Sequence, residues 1–497
     1  MSHRIFKIGA AALLLTSFNL AWGQAELTPV SLDPLKSQKV ISENRSWRAP
    51  DFSGQDGALG WSQGAFETPP EMEKRVQFWI DIYTRYTTQQ GVIHDPENID
   101  LVYEVIDFSA LESSTLPSSA KDRMKRSMVD EAKERALGTL KKLAGLKSAK
   151  GLPEEDRRIW ERFHESSQSF EEAMDPARLR FQLGQKDRMQ SAIFLSGRYL
   201  EDFEKIFKEA GLPIELTRLV FVESSFNVLA RSKVGASGLW QIMPGTARPF
   251  RVMSPAVDGR NHPQTATRIA AKTLAANFRQ LGSWPLAVTG YNHGPAGVRK
   301  IVEKYKTDQL SELIESVRSR ASFGFASRNF YASFLAAHHV EKNAARYFPG
   351  IQWSNRFDAE DVRLPRSVTY DQLLGWFDGD RQSLQLHNPH LTAHARRRGI
   401  PEGTTVLIPQ ERYSKALAAL GRAARSIARD VSSTGRVRQQ KEVASSSVGK
   451  KVHRVSRGEN LSVIAGKYGV TLSALLRAND MKLQETIIPG QRLHIPH

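Results

Sequence analysis

The 497-residue chain contains no cysteine. That excludes a disulfide framework, thiolate metal sites and cysteine nucleophiles. It also leaves no thiol for a lipid anchor. Beyond the N-terminus, no run is apolar enough to cross a bilayer, which takes roughly 20 such residues. Acids are in deficit, with 53 Asp and Glu against 70 Lys and Arg and a formal charge of +17. A surface of that sign attracts polyanions without saying which ones: nucleic acid, anionic lipid or the acidic polymers of a cell wall. Metal-ligand spacing is missing too. His262, His293 and the His338-His339 pair show no pattern of the His-Glu-x-x-His kind, so neither a metal nor a cofactor is expected.

What is present begins with a positive segment. Arg4 and Lys7 precede an apolar stretch from Ile8 to Trp22, which Thr16, Ser17 and Asn19 interrupt. Ala21-Trp22-Gly23 places small residues where a leader is cut. Residues 1–23 are therefore expected to be a signal peptide, and the chain to be exported to the periplasm or cell envelope without a transmembrane span. An uncleaved anchor is the weaker reading of the same stretch.

Length sets a prior of two to four domains, and 40% apolar residues suffice for packed cores. Residues 24–65 are rich in Ser, Gly and Pro and are expected to be a flexible leader. From 66 to 180 the pattern is helical, with Met124, Met128, Ala132, Leu137, Leu140 and Leu143 on one face. A denser helical region spans 181–350, with helices expected near 265–281, 285–291 and 329–346. Residues 358–410 are expected to form a small α-rich module closed by a strand. The next segment, 411–451, is a basic, Ser-rich linker; residues 421–451 hold eight Lys or Arg and two acids. Residues 452–497 follow the order β-α-α-β, with Leu461, Ile464, Ala465 and Tyr468 on one helix face. The 358–410 segment is a looser version of it, so a degenerate internal repeat is expected.

Chemistry concentrates between Pro213 and Asn292. An apolar helical run through Leu216, Leu219, Val220 and Val222 ends at Glu223-Ser224-Ser225-Phe226. Next comes Gly238-Leu239-Trp240-Gln241-Ile242-Met243-Pro244, and then Gly290-Tyr291-Asn292-His293-Gly294. A carboxyl serves as a general acid near neutral pH only if its surroundings raise its pKa, and apolar burial does so. Phe221, Val222, Phe226 and Trp240 are the candidate walls around Glu223. By itself a Glu at a helix end is usually a solvated residue; the neighbouring motifs change that balance. Gly235 and Gly238 suit a tight turn.

These three motifs, with Asp258-Gly-Arg260 and the Arg268-Ile-Ala-Ala-Lys-Thr-Leu run between them, resemble the catalytic domain of the soluble-lytic-transglycosylase (SLT) family. Trp240, where many members have Met, is similar to a branch of the membrane-bound lytic murein transglycosylases. The C-terminal β-α-α-β segment, with Gly458-Glu459-Asn460-Leu461 and Ile488-Pro489-Gly490-Gln491, resembles a LysM peptidoglycan-binding module. The resemblance implies a mainly α fold: a lysozyme-like catalytic domain with a helical N-terminal extension and a small βααβ module. It implies that Glu223 protonates the bond between N-acetylmuramic acid and N-acetylglucosamine. The same residue then takes the proton of the muramoyl C6 hydroxyl, leaving a 1,6-anhydro sugar. Gln241, Tyr291 and Asn292, with Ser232 as a weaker member, are implied to line the sugar cleft. Gly458, Glu459, Asn460, Leu461, Asn479, Ile488 and Pro489 are implied to bind glycan. The expected partner is the peptidoglycan glycan strand, with other wall enzymes open and no nucleic acid.

The chain departs from the family where members show Tyr after an Arg-Asn pair. Here Phe330 follows Asn329, and Tyr331 comes next. Rival readings are a muramidase that cuts the same bond with water, an inactive wall-binding scaffold and, from charge alone, a nucleic-acid binder.

Overall fold

A computed structural model describes residues 66–165, 169–317, 322–421, 451–455, 461, 464–465, 468, 470, 472–479, 481 and 491–495. The expected signal peptide, the leader and residues 422–450 of the expected basic linker lie outside these residues. The chain divides into two compact units, Met1–Ala428 and Arg429–His497.

The first unit is mainly helical. Its largest core gathers α1 (Glu73–Thr84), α4 (Lys186–Ser196), α5 (Leu200–Glu209), α6 (Leu219–Ser224), α7 (Pro263–Leu281), α8 (Trp284–His293), α9 (Pro295–Tyr305), α10 (Leu310–Ser316) and α11 (Phe325–Lys342). Helices α2 (Ser118–Ala144) and α3 (Glu154–Glu165) belong to a separate core. Helix boundaries follow local chemistry. α7 opens with Pro263 in its first turn and stops at Gly282, whose φ of 81° lets the chain leave left-handed. α11 is buried almost all round, from Ser327 to Glu341. It is the pillar on which α1, α6 and α8 pack.

Two features of the N-terminal extension differ from the expectation of a separate helical region. First, α1 sits in the main core; Val76, Trp79, Ile82 and Tyr83 are buried there. Second, the extension contains an antiparallel sheet in the order β2-β1-β3: β1 (Gln90–His94), β2 (Val102–Asp107) and β3 (Arg180–Leu183). α2 and α3 cover one face of this sheet through Ile93, Ile106, Leu140, Leu143 and Ile159. Buried Asp95 receives two bonds from Arg178, one of them at 2.9 Å from Nε, and fixes the turn after β1.

Residues 359–420 form a module with its own core. β4 (Ala359–Arg363) and β5 (Thr405–Pro409) pair antiparallel around α12 (Tyr370–Trp376), α13 (Arg381–His387) and α14 (Ala393–Arg398). Thr369 and Gln372 form a complete capping box on α12. α15 (Gln410–Leu420) buries Ala416 and Leu420 in the module core, so ordered structure continues through residues expected to open the linker.

In the second unit, β6 (Lys451–Arg454) pairs antiparallel with β7 (Arg492–Ile495), and α16 (Leu472–Ala478) packs on β7. Val455, Ile464, Ala465, Leu475, Leu493 and Ile495 form its core. Among the described residues, no helix is long and apolar enough to cross a membrane.

Candidate active site

Glu223 is the last acidic residue of a short helix held from below. Leu219, Val220, Phe221 and Val222 are all buried. At the start of that helix Arg218 donates to Glu341 at 3.2 Å and pairs with Glu204, locking α6 to α5 and α11. After Glu223 the chain turns sharply. Ser225 and Phe226 take φ of 50° and 56°, a left-handed pair that side chains rarely adopt. Phe226 is driven into the core, 4.8 Å from the ring of Phe221. Ser224 Oγ donates to the Leu239 carbonyl at 2.8 Å, tying the helix end to the second motif.

That second motif is irregular backbone fixed by one arginine. Arg260 makes a two-pronged pair with Asp258, at 2.9 and 2.7 Å. Its remaining nitrogen donates to the carbonyls of Gly235 at 2.7 Å and Ile242 at 3.0 Å. Gly238, at φ 77°, lies so close to the Arg260 carbonyl that a β-carbon would clash with it. Gln241 is a third strained residue, at φ 44°. Of the six non-glycine residues with positive φ among the described residues, three are therefore in these two motifs. Strain of this kind persists only where the surroundings over-determine it. Here Arg218 and Arg260 do so.

The third motif closes over both. Tyr291, on α8, donates its hydroxyl to the Trp240 carbonyl at 2.9 Å. Burial and then the nearby Glu223 charge push its phenol well above its ordinary range, so it stays a neutral donor. Asn292 accepts from Ser327 Oγ at 3.4 Å, and Ser327 also meets His293 Nδ1 at 2.9 Å. Burial lowers the His293 pKa, keeping the ring neutral.

The electrostatics single out Glu223. The buried carboxylates of the described residues are Asp95, Glu204, Asp258 and Glu341, and each is paired with an arginine. Glu223 has no cation. It is only partly covered, so a ligand reaches it, yet desolvation pushes its pKa up to about 8. At neutral pH the group is a protonated acid.

Several expected residues take other places. Trp240 is wholly buried, stacked 5.5 Å from Phe207, and donates to Thr267 at 2.9 Å. It is a core support, and its backbone, not its ring, meets the site. Gln241 donates its amide nitrogen to the Gly238 carbonyl at 2.8 Å and the Ala230 carbonyl at 3.2 Å. Ser232 accepts from Ala236 N at 2.9 Å and closes a surface turn. Phe330 and Tyr331 are both buried. Of the residues expected to bind glycan in the last module, Gly458, Glu459, Asn460, Ile488 and Pro489 lie outside the described residues. Leu461 packs against the module core. Asn479 is bound to the backbone of β7. Arg260 was visible in the sequence only as part of a motif; its partner two residues earlier was the signal of its role.

Residues 203–314 match the transglycosylase SLT domain family, and residues 453–496 match the LysM domain family. The chain contains a transglycosylase SLT domain and a LysM domain. The SLT domain holds Glu223, the Arg260-pinned loop and Tyr291. The chain is 25% identical over 295 residues to membrane-bound lytic murein transglycosylase D of Escherichia coli K12, covering 58% of this chain and 61% of that one. It thus spans about three fifths of that relative's length. It is 40% identical over 83 residues to the soluble lytic murein transglycosylase of Salmonella typhimurium LT2, covering 16% of this chain and 13% of that one. The 70 kDa soluble lytic transglycosylase of E. coli aligns in structure with a TM-score of 0.26 and 17% identity, covering 59% of this chain and 55% of that one.

Proposed function

We propose that this chain is a lytic transglycosylase of the cell envelope. It cleaves the β-1,4 bond between N-acetylmuramic acid and N-acetylglucosamine in peptidoglycan and leaves a 1,6-anhydromuramoyl end. The observation that carries this reading is Glu223: a partly covered acid with no cation paired to it, pushed up to about 8 by desolvation, in an SLT domain whose buried carboxylates are each held by an arginine.

The chemistry needs one group in two protonation states. Glu223 gives its proton to the glycosidic oxygen, and the C1–O bond breaks with positive charge growing at C1. The carboxylate so formed takes the proton of the C6 hydroxyl of the same sugar. That oxygen closes onto C1, and Glu223 ends protonated as it began. No water is added. Hydrolysis with a carboxylate nucleophile would need a second free acid about 5–5.5 Å away; the buried acids of the SLT domain, Glu204 and Asp258, are already held by arginines. Tyr291 and Asn292 contribute neutral donors and acceptors for sugar hydroxyl and acetamido groups. Gln241 keeps its amide nitrogen on the loop and turns the oxygen side to a ligand N–H. Ser232 has only a peripheral part.

The LysM domain holds the enzyme on glycan strands through the 458–461 and 479–489 segments. Export rests on residues 1–23 and on the names of the relatives. The test is mass analysis of the fragments released from purified sacculi. Anhydro ends, each one water lighter than a hydrolysed end, are expected from the native chain. Glu223→Gln should lower their release by about 10²–10⁴-fold while leaving the melting temperature near that of the native chain. Products carrying only reducing ends would assign the chain to the muramidases.

A further inference from the structure

A guanidinium with nothing to neutralise it sits where the N-terminal extension meets the SLT domain. Arg180 opens β3, opposite His94 of the central strand. Phe181 and Leu183 of the same strand pack into the extension's own core. Strand alternation then turns Arg180 to the other face, toward α11. Its guanidinium carbon lies 3.9 Å from the centroid of Phe325. Among the described residues no carboxylate pairs with it, and its Nε is buried without a hydrogen-bond partner. Desolvation pulls its pKa down to about 10. Its neighbours differ: Arg178 holds Asp95, and Arg328 holds Glu97 at 2.7 and 2.9 Å.

Two further observations bear on an anion there, the N-terminus of α11 and its link to the cleft. Phe325 is the first residue of α11, an 18-residue helix whose Gly324 N-cap offers no side-chain acceptor. The positive end of its dipole therefore faces this spot. His94, wholly buried 5.6 Å from Phe325, donates from Nδ1 to the Asp95 carbonyl at 3.2 Å, and burial followed by the Arg180 charge lowers its pKa, so the ring is neutral and Arg180 is the cation of this spot. Two residues along α11, Ser327 binds Asn292, a proposed cleft residue. Arg180 and Phe325 both remain partly open to solvent.

We propose that Arg180 is a substrate-binding residue that takes a carboxylate of the peptide carried by the glycan strand, with Phe325 as its platform. The assignment rests on the peptidoglycan reading above. The sugars of the chain are neutral once the lactyl group bears a peptide, so only the peptide offers free carboxylates. A planar guanidinium fixed on an aromatic face loses little freedom on binding one.

Two soluble glycan fragments of equal length, one bearing its peptides and one stripped of them with the freed lactyl carboxyls capped as neutral amides, test this with the full chain. Arg180→Gln should raise KM on the peptide-bearing fragment about tenfold, as expected for one charge-assisted contact. It should leave the stripped fragment unaffected. Arg180→Lys should recover part of the loss, and added salt should narrow the gap between native and Gln variants. Equal losses on both fragments, or a fallen melting temperature with no selectivity, would make Arg180 a structural residue and overturn the proposal. So would no loss on either. If the native chain cuts neither fragment, the proposed function falls, and this assignment with it.

Discussion

Two small modules of the chain, residues 359–420 and the LysM domain, share a strand frame and differ in what their loops meet. In each, a first strand pairs antiparallel with a last one around intervening helices. In each, an asparagine near the end of a helix clamps the middle of the last strand. Asn388 donates to the Leu407 carbonyl at 2.9 Å and accepts from Leu407 N at 2.8 Å. Asn479 donates to the His494 carbonyl at 2.8 Å and accepts from His494 N at 2.7 Å. The following residues, Ile408-Pro409 and Ile495-Pro496, repeat as well.

The difference lies in the segment after the asparagine. In the first module it grips the SLT domain. The His390 carbonyl accepts from Asp258 N at 2.8 Å, and Thr392 binds the Ala256 and Pro255 carbonyls at 3.1 and 2.6 Å. Asp258 in turn holds Arg260, which holds the strained loop of Gln241. In the second module the corresponding segment lies in the LysM domain, in the stretch proposed to meet glycan. The first frame is thus an internal brace, and the proposed work of the second is that of a tether.

Removing the tether should give the largest contrast. Deleting residues 421–497 should reduce retention on insoluble sacculi about tenfold or more, since local concentration is lost. Turnover of short soluble glycan should stay within a factor of about two, because such fragments diffuse to the cleft. Loss of both activities together would show the two modules to be equally structural. The paired asparagines sharpen the same contrast. Asn388→Ala strips two buried bonds and should cost about 2–3 kcal/mol in the main unfolding transition, with a fall in soluble turnover. Asn479→Ala should cost about 1–2 kcal/mol, confined to the C-terminal module and visible only as weaker sacculus binding. Calorimetry with both assays separates them; identical profiles would break the comparison.

Much of this could be read along the chain. Helices α7 and α8 follow from apolar spacing and from Pro and Gly at their ends. Glu223, Gln241 and Tyr291 stand in short motifs with fixed chemistry. What escaped was non-local. β1 is almost wholly buried and shows no alternation. Its partner β3 lies beyond both α2 and α3, so nothing local announces the sheet. Arg218 meets Glu341 across 123 positions. Trp240 looked like a wall of the site because it sits in the motif. Its ring turns inward because residues on either side of it, Gly238 and Gln241, take left-handed backbone.

The account turns on Glu223 being a protonated acid at neutral pH because burial denies it hydration, with no cation to offset the loss. Its acid form should vanish as pH rises through about 8, and kcat/KM on soluble glycan should fall above that pH. The most direct measurement is a carboxyl-detected NMR titration of the full chain, with Glu223→Gln identifying the resonance. A midpoint near 8 is expected. A midpoint near 4.5, the ordinary value for the group, would contradict it.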